Sequence, residues 1–142
     1  MRNVVLPYDG SAPAQRAVKY LLDMKPVAGT LQVHLINVQS PPNLYGNYVS
    51  GQIIQEMHAG ALEHAVAEMQ EPKEMLEAAG FIVHVHGVVG EASREIAKLV
   101  KSSGCDTVVM GTRGLGKIGS LFMGSVATQV IHEVSVPVLL VK

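Results

Sequence analysis

Apolar residues along this chain change rhythm several times, and the changes mark its elements. Val4, Val5 and Leu6 make a short apolar run, closed by Pro7, Tyr8, Asp9, Gly10 and Ser11. These are turn residues, and the last carries a hydroxyl suited to capping a helix. Ala14, Ala17, Val18, Leu21 and Leu22 then fall at i, i+3, i+4, i+7 and i+8, one helical stripe facing a sheet. Leu31 to Val38 reads as a second strand, stopped by Ser40, Pro41 and Pro42. From Pro41 to about Gly51 no period is kept, which predicts a long loop. Leu62, Ala65, Met69, Leu76 and Ala79 restore helical spacing as far as Gly80, a stop signal. Pro72 lies inside that span. It lacks a backbone donor and crowds the preceding turn, so a kink or a restarted helix is expected near Glu71.

The second half repeats the alternation. Phe81 to Val89 predicts a third strand, Ala92, Ile96, Leu99 and Val100 a third apolar stripe, and Thr107 to Met110 a fourth strand. A glycine-rich stretch follows, then a last helix with Val126, Val130, Ile131 and Val134 as its stripe, and a fifth strand from Val136 to Val141. Strands apolar on both faces, alternating with helices, make an α/β fold: a parallel sheet covered on both sides. Such sheets bind ligands past the carboxyl ends of their strands, where the strand order reverses. Those ends are Pro7 to Ser11, Val38 to Pro42, Val89 to Glu91, and Met110 onward.

Composition narrows the possibilities. At 142 residues, 48% hydrophobic and 16% charged, the chain is one compact domain spanning residues 1–142. A net charge of −1 without a Lys or Arg run offers nothing to a nucleic acid or an anionic membrane. No apolar run approaches membrane-spanning length, and with a strand expected to begin beside Met1 no signal peptide is expected. The single cysteine, Cys105, can build neither an internal disulfide nor a metal cluster, so a cytoplasmic setting is expected. It reads as a small buried strand residue.

Three nucleotide-binding patterns overlap between Gly111 and Val126. The first resembles a P-loop, but Ile118 stands after Lys117 where a magnesium-holding hydroxyl is required. The second, Gly114, Gly116 and Gly119, imitates a dinucleotide fingerprint, but the only later acidic residue, Glu133, falls in the last helix instead of on the next strand. The third is longer: Gly111, two residues, Gly114, nine residues, then Gly124 and Ser125. Its glycines let backbone N–H groups approach a phosphate closely, and a helix opening at Gly124 adds its own free N–H groups and positive dipole end. Arg113 and Lys117 lie on the arc between, where they could screen a triphosphate, although Arg113 reads equally as a solvated loop cation. A glycine-rich loop without a ligand satisfies the same residues.

With this third pattern complete, the chain resembles the ATP-binding branch of the universal stress protein family. The likeness runs from the opening at Val4 to Ser11 to the closing run Val136 to Val141. It implies a Rossmann-like fold of the adenine nucleotide alpha hydrolase type, with five parallel strands in the order 3-2-1-4-5. It also implies ATP, with magnesium, in the crevice between strands one and four. On that resemblance Pro7 and Asp9 border the ribose, with Tyr8 between them counted in the nucleotide site, the Val38 backbone pairs with adenine, and Met110 packs on the base or ribose side. Gly111, Arg113 and Gly114 wrap sugar and phosphates, while Gly124, Ser125 and Val126 hold phosphate oxygens. Some nucleotide-bound relatives carry a hydroxyl residue where this chain has Ala127, which removes one phosphate contact here.

Candidates for chemistry are few. Asp9 before Gly and Ser is also an ordinary turn residue that bonds its own backbone, and the two roles are compatible. His84 and His86 alternate onto one strand face without an evident third metal ligand. His58 and His64 do not share a helix face. No catalytic residues can be named. The expected function is a nucleotide-dependent regulatory protein of the stress response, ahead of a slow ATPase or phosphotransferase and of a dimeric scaffold that binds no nucleotide. Pro137 places the last strand at a sheet edge, and a bare apolar edge is an aggregation liability. A homodimer paired through Val136 to Val141, as in many relatives, is the expected cover.

Overall fold

The computed structural model describes residues 1–24, 31–42, 50–112 and 123–142. Among these residues ten elements follow in order: β1 (Asn3–Pro7), α1 (Ala12–Asp23), β2 (Gln32–Gln39), α2 (Gly51–Glu68), α3 (Gln70–Ala78), β3 (Ile82–Val89), α4 (Ala92–Ser102), β4 (Thr107–Gly111), α5 (Ser125–Glu133) and β5 (Val138–Val141). The strands form one sheet in the order β3-β2-β1-β4-β5, and every pairing is parallel. This is the expected α/β architecture and strand order, with the reversal between β1 and β4.

Strand β1 shows why both faces are apolar. Val4 and Leu6 enter one core with Ala14, Ala17, Val18 and Leu21 of α1, while Val5 enters a second with Ile96, Val100 and Val130 of α4 and α5. Successive side chains leave opposite faces of a strand, so a central strand must be apolar at every position. Met69 and Leu76 place the α2–α3 connection in the first core. No described helix is long and apolar enough to cross a membrane.

Several boundaries differ from the sequence expectation. The restarted helix expected near Glu71 is present, with the break at Met69 and the restart at Gln70. Pro72 has no N–H for the Glu68 carbonyl, and its ring crowds that carbonyl, so the disruption appears one turn upstream. Leu62 is exposed; of all 18 residues of α2 only Ala65 is buried. In α5 the buried residues are Ala127 and Val130, while Val126 and Ile131 stay exposed. The larger apolar residues flank the contact, and the small Ala127 sits at its centre. β5 begins at Val138 instead of Val136. Cys105 is buried as expected but lies in the turn before β4. There burial, and after it Asp106, push the thiol pKa up to about 11, leaving it unreactive at neutral pH.

Candidate functional site

The crevice at the strand reversal is built from the ends of β1, β2 and β4. β1 leaves the sheet after the Tyr8 N–H donates to the Ile36 carbonyl at 2.8 Å. The chain then turns through Gly10, whose φ of +76° is the left-handed conformation that favours glycine. The Ser11 N–H donates to Asp9 Oδ1 at 3.0 Å, and Ser11 Oγ accepts the Ala14 N–H at 3.3 Å, capping α1. Asp9 thus uses one carboxylate oxygen to hold its own turn. The Tyr8 side chain is buried in the α1 core; burial, then Glu71, Glu68 and Asp9, push its phenol pKa upward.

β2 runs on past the end of β1. Backbone groups of a parallel strand alternate between its two neighbours. Ile36 accepts from Tyr8 on the β1 side, and Gln39 accepts from the Gly90 N–H at 2.9 Å on the β3 side. The N–H and C=O of Val38 therefore point to the β1 side, at a level where β1 has already turned away. No hydrogen bond joins Val38 to the β1–α1 turn. That backbone pair is the kind of edge that recognises a planar base. Beneath it, Asn37 Nδ2 donates to Glu68 Oε2 at 2.7 Å and Gln39 Nε2 to Asn37 Oδ1 at 2.6 Å, tying the end of β2 to the end of α2.

On the other wall, Met110 is buried in the core beside α4 and α5. Gly111 lies against α1: a Cβ there would stand 2.6 Å from the Pro13 carbonyl carbon and 2.6 Å from its Cβ. Real Cβ contacts do not come that close, so glycine here is required by packing whether or not a ligand binds. Thr112, which the glycine spacing does not mark, joins the wall together. Its N–H donates to the Val141 carbonyl at 3.0 Å, and its carbonyl accepts the Gly124 N–H at 2.7 Å. The first and third glycines of the long pattern are thereby neighbours in space. Gly124 is the N-cap of α5 and offers no side-chain acceptor, so no cap side chain takes up the N–H groups of the first turn. Ser125 and Val126 are exposed there, whereas Ala127 is buried. Arg113, Gly114 and Lys117 lie outside the described residues.

Among the described residues, the walls thus combine an open backbone edge at Val38, a carboxylate at Asp9, and a helix start at Gly124 and Ser125 without a side-chain cap. The sequence profile of the Universal stress protein family matches residues 1–142. The chain belongs to the universal stress protein family. Relatives include Universal stress protein MJ0577 of Methanocaldococcus jannaschii, 28% identical over 153 residues, covering 99% of this chain and 94% of that protein. Universal stress protein Slr1230 of Synechocystis is 29% identical over 136 residues, 96% of this chain, yet the match spans only 41% of its length. The solved structure of MJ0577 superposes with a TM-score of 0.89 at 29% identity, covering 99% of this chain and 95% of that one. A universal stress protein in complex with cAMP aligns with a TM-score of 0.68 at 23% identity over 99% of this chain and 95% of that one. The dAMP complex of an Archaeoglobus fulgidus member aligns with a TM-score of 0.60 at 22% identity over 100% of this chain and 98% of that one. At those last two identities the likeness speaks for the universal stress fold.

Proposed function

We propose that this universal stress protein binds ATP with magnesium in the crevice past β1 and β4, and that the nucleotide regulates what a cytoplasmic homodimer presents during a stress response. The observation that carries the reading is the 2.7 Å bond between the Gly124 N–H and the Thr112 carbonyl. It sets the uncapped start of α5 beside the end of β4, so backbone donors from both segments can reach one phosphate chain. In this reading the Val38 backbone pairs with adenine, and Pro7, Tyr8 and Asp9 border the ribose, Tyr8 through its backbone. Met110 supports the base or ribose side from below. Gly111, Arg113 and Gly114 wrap sugar and phosphates, while Gly124, Ser125 and Val126 hold phosphate oxygens. The Asp9 oxygen that does not hold the turn is the group suited to magnesium or its water shell. Adenine nucleotides in the cAMP and dAMP complexes of two other family members support the ligand class. The lone buried Cys105 suits a reducing compartment.

Protein purified under native conditions should release ATP on denaturation, read by mass spectrometry. Calorimetry with magnesium should show ATP binding at least about tenfold tighter than GTP, a difference of about 1.4 kcal/mol. Equal affinities would remove Val38 as the reader of the base, and no heat with either nucleotide would remove the site. The homodimer is proposed through the outer edge of β5, a terminal strand with one neighbour, β4. Light scattering at micromolar concentration should give twice the chain mass; a monomer mass rejects that pairing.

A further inference from the structure

Three of the six histidines meet at the β3 edge of the sheet. Strand pairing sets His34 opposite His84 and Ile36 opposite His86. Side chains alternate along strands, so all three rings share the α4–α5 side with Ile36 and Val88. His34 Nδ1 and His86 Nε2 stand 3.0 Å apart, with ring centroids 5.2 Å apart and planes inclined by 24°. His84 stacks on His34 at 4.7 Å and meets Gln32 Oε1 through its Nε2 at 3.2 Å. One shared proton satisfies the two facing nitrogens of His34 and His86. Burial and the neighbouring histidines lower the proton affinity of both rings below the ordinary value. Both are therefore neutral at pH 7, the form of imidazole that ligates metals.

We propose that His34 and His86 form a two-nitrogen seat for a divalent late transition-metal ion, with Ni2+ and Cu2+ favoured over Zn2+. Imidazole nitrogens about 2.05 Å from a metal lie about 2.9 Å apart when the two bonds meet at a right angle, and about 3.3 Å apart at a tetrahedral ion. The two nitrogens stand 3.0 Å apart at rest, so a small movement brings them to either spacing, and the choice of ion rests on affinity for nitrogen ligands. Right-angled bonds belong to the square and octahedral shells of Cu2+ and Ni2+, which also head the affinity order for nitrogen ligands. The two nitrogens face each other nearly in line, so binding turns the rings until both lone pairs aim to one side. The shared proton moves to the far nitrogen of its own ring, and no net charge is lost. His86 supplies the movement, being only half-buried on an edge strand. Among the described residues no three His, Cys, Asp or Glu side chains form a metal-holding group, so water completes the shell. The seat lies toward the opposite edge of the sheet from β5.

The test is a titration of NiCl2 into the full chain, followed by histidine ring-proton NMR and by calorimetry. Signals of His34 and His86, with the adjacent His84, should broaden at substoichiometric Ni2+ while those of His58, His64 and His132 stay sharp. His86→Gln should weaken Ni2+ binding by at least about tenfold, His132→Gln by less than about twofold, and magnesium should not compete. Equal broadening at all six histidines, or unchanged affinity in folded His86→Gln, overturns the proposal. If that variant does not fold, the broadening pattern of the unmodified chain decides alone.

Discussion

Gly111 is the residue whose presence two different arguments explain, and they part company under mutation. As a member of a glycine pattern it would be needed only when ligand is bound. The closeness of Pro13 makes it necessary in the empty protein as well. Gly111→Ala should therefore destabilise the free protein by about 1–3 kcal/mol, because the clash is partly with backbone that cannot rotate away. Urea denaturation measures this, and a change below about 0.5 kcal/mol would return Gly111 to a purely ligand-facing role. His34 and His86 make a second residue-scale prediction. Each has its pKa held below the ordinary 6.5 by burial first and then by histidine neighbours. The native state thus binds fewer protons than the unfolded state once pH falls below that value. Their contribution to stability is complete above pH 6.5 and is lost as pH drops through it toward the lower native values. In chelator-treated protein, the urea midpoint should fall between pH 7.5 and 5.5, and His86→Gln should flatten the fall. Asp106, which burial raises but which the hydrogen bonds it accepts from Thr107, Arg2 and Asn3 together with the N-terminal charge lower below 3.8 on balance, acts only in stronger acid and does not confuse this window.

At the scale of elements, the start of α5 is the part on which nucleotide binding turns. Gly124 has φ −63° and ψ 156°, extended backbone that any residue adopts, so its glycine is not demanded by conformation. Gly124→Val should keep the fold, confirmed by circular dichroism, and lose ATP affinity by at least about a hundredfold, because the branched side chain fills the phosphate's place. Retained affinity in a folded variant would move the phosphates elsewhere. Elements with local causes could be read from the sequence. The Ser11 cap, the α1 stripe and the apolar β1 run depend on residues a few positions apart. What could not be read depends on register and proximity between distant segments. His34 completes a histidine cluster only because β2 and β3 pair with an offset of 50 positions. Thr112 matters through a carbonyl, which its side chain does not advertise. In α5 the expected stripe is buried at Val130 but exposed at Val126 and Ile131, while Ala127, outside the stripe, is buried.

Over the whole molecule, the crevice walls are not independent, since Gly111 of β4 rests on Pro13 of α1 and Thr112 is bonded to β5. The strand order and the position of the crevice follow from the alternation of elements together with the family likeness. The occupancy of the crevice is a matter of backbone groups, and a sequence displays those poorly. A different inequality runs through the molecule at α2. This helix extends over 18 residues yet fully buries one, while Ile53, Met57, Leu62 and Val66 are each more than a third exposed. Beyond its own hydrogen bonds, it is shielded only along the side that packs on β2 and β3, where Ala65 and Val66 lie over Gly87. Native-state hydrogen exchange should find α2 opening at a free energy well below that of β1 and α1, as a separate unit anchored by Met69 and the Asn37–Glu68 bond. The protein would then exist as a durable sheet beside one helix that comes and goes, and exchange at a single common free energy throughout would exclude it.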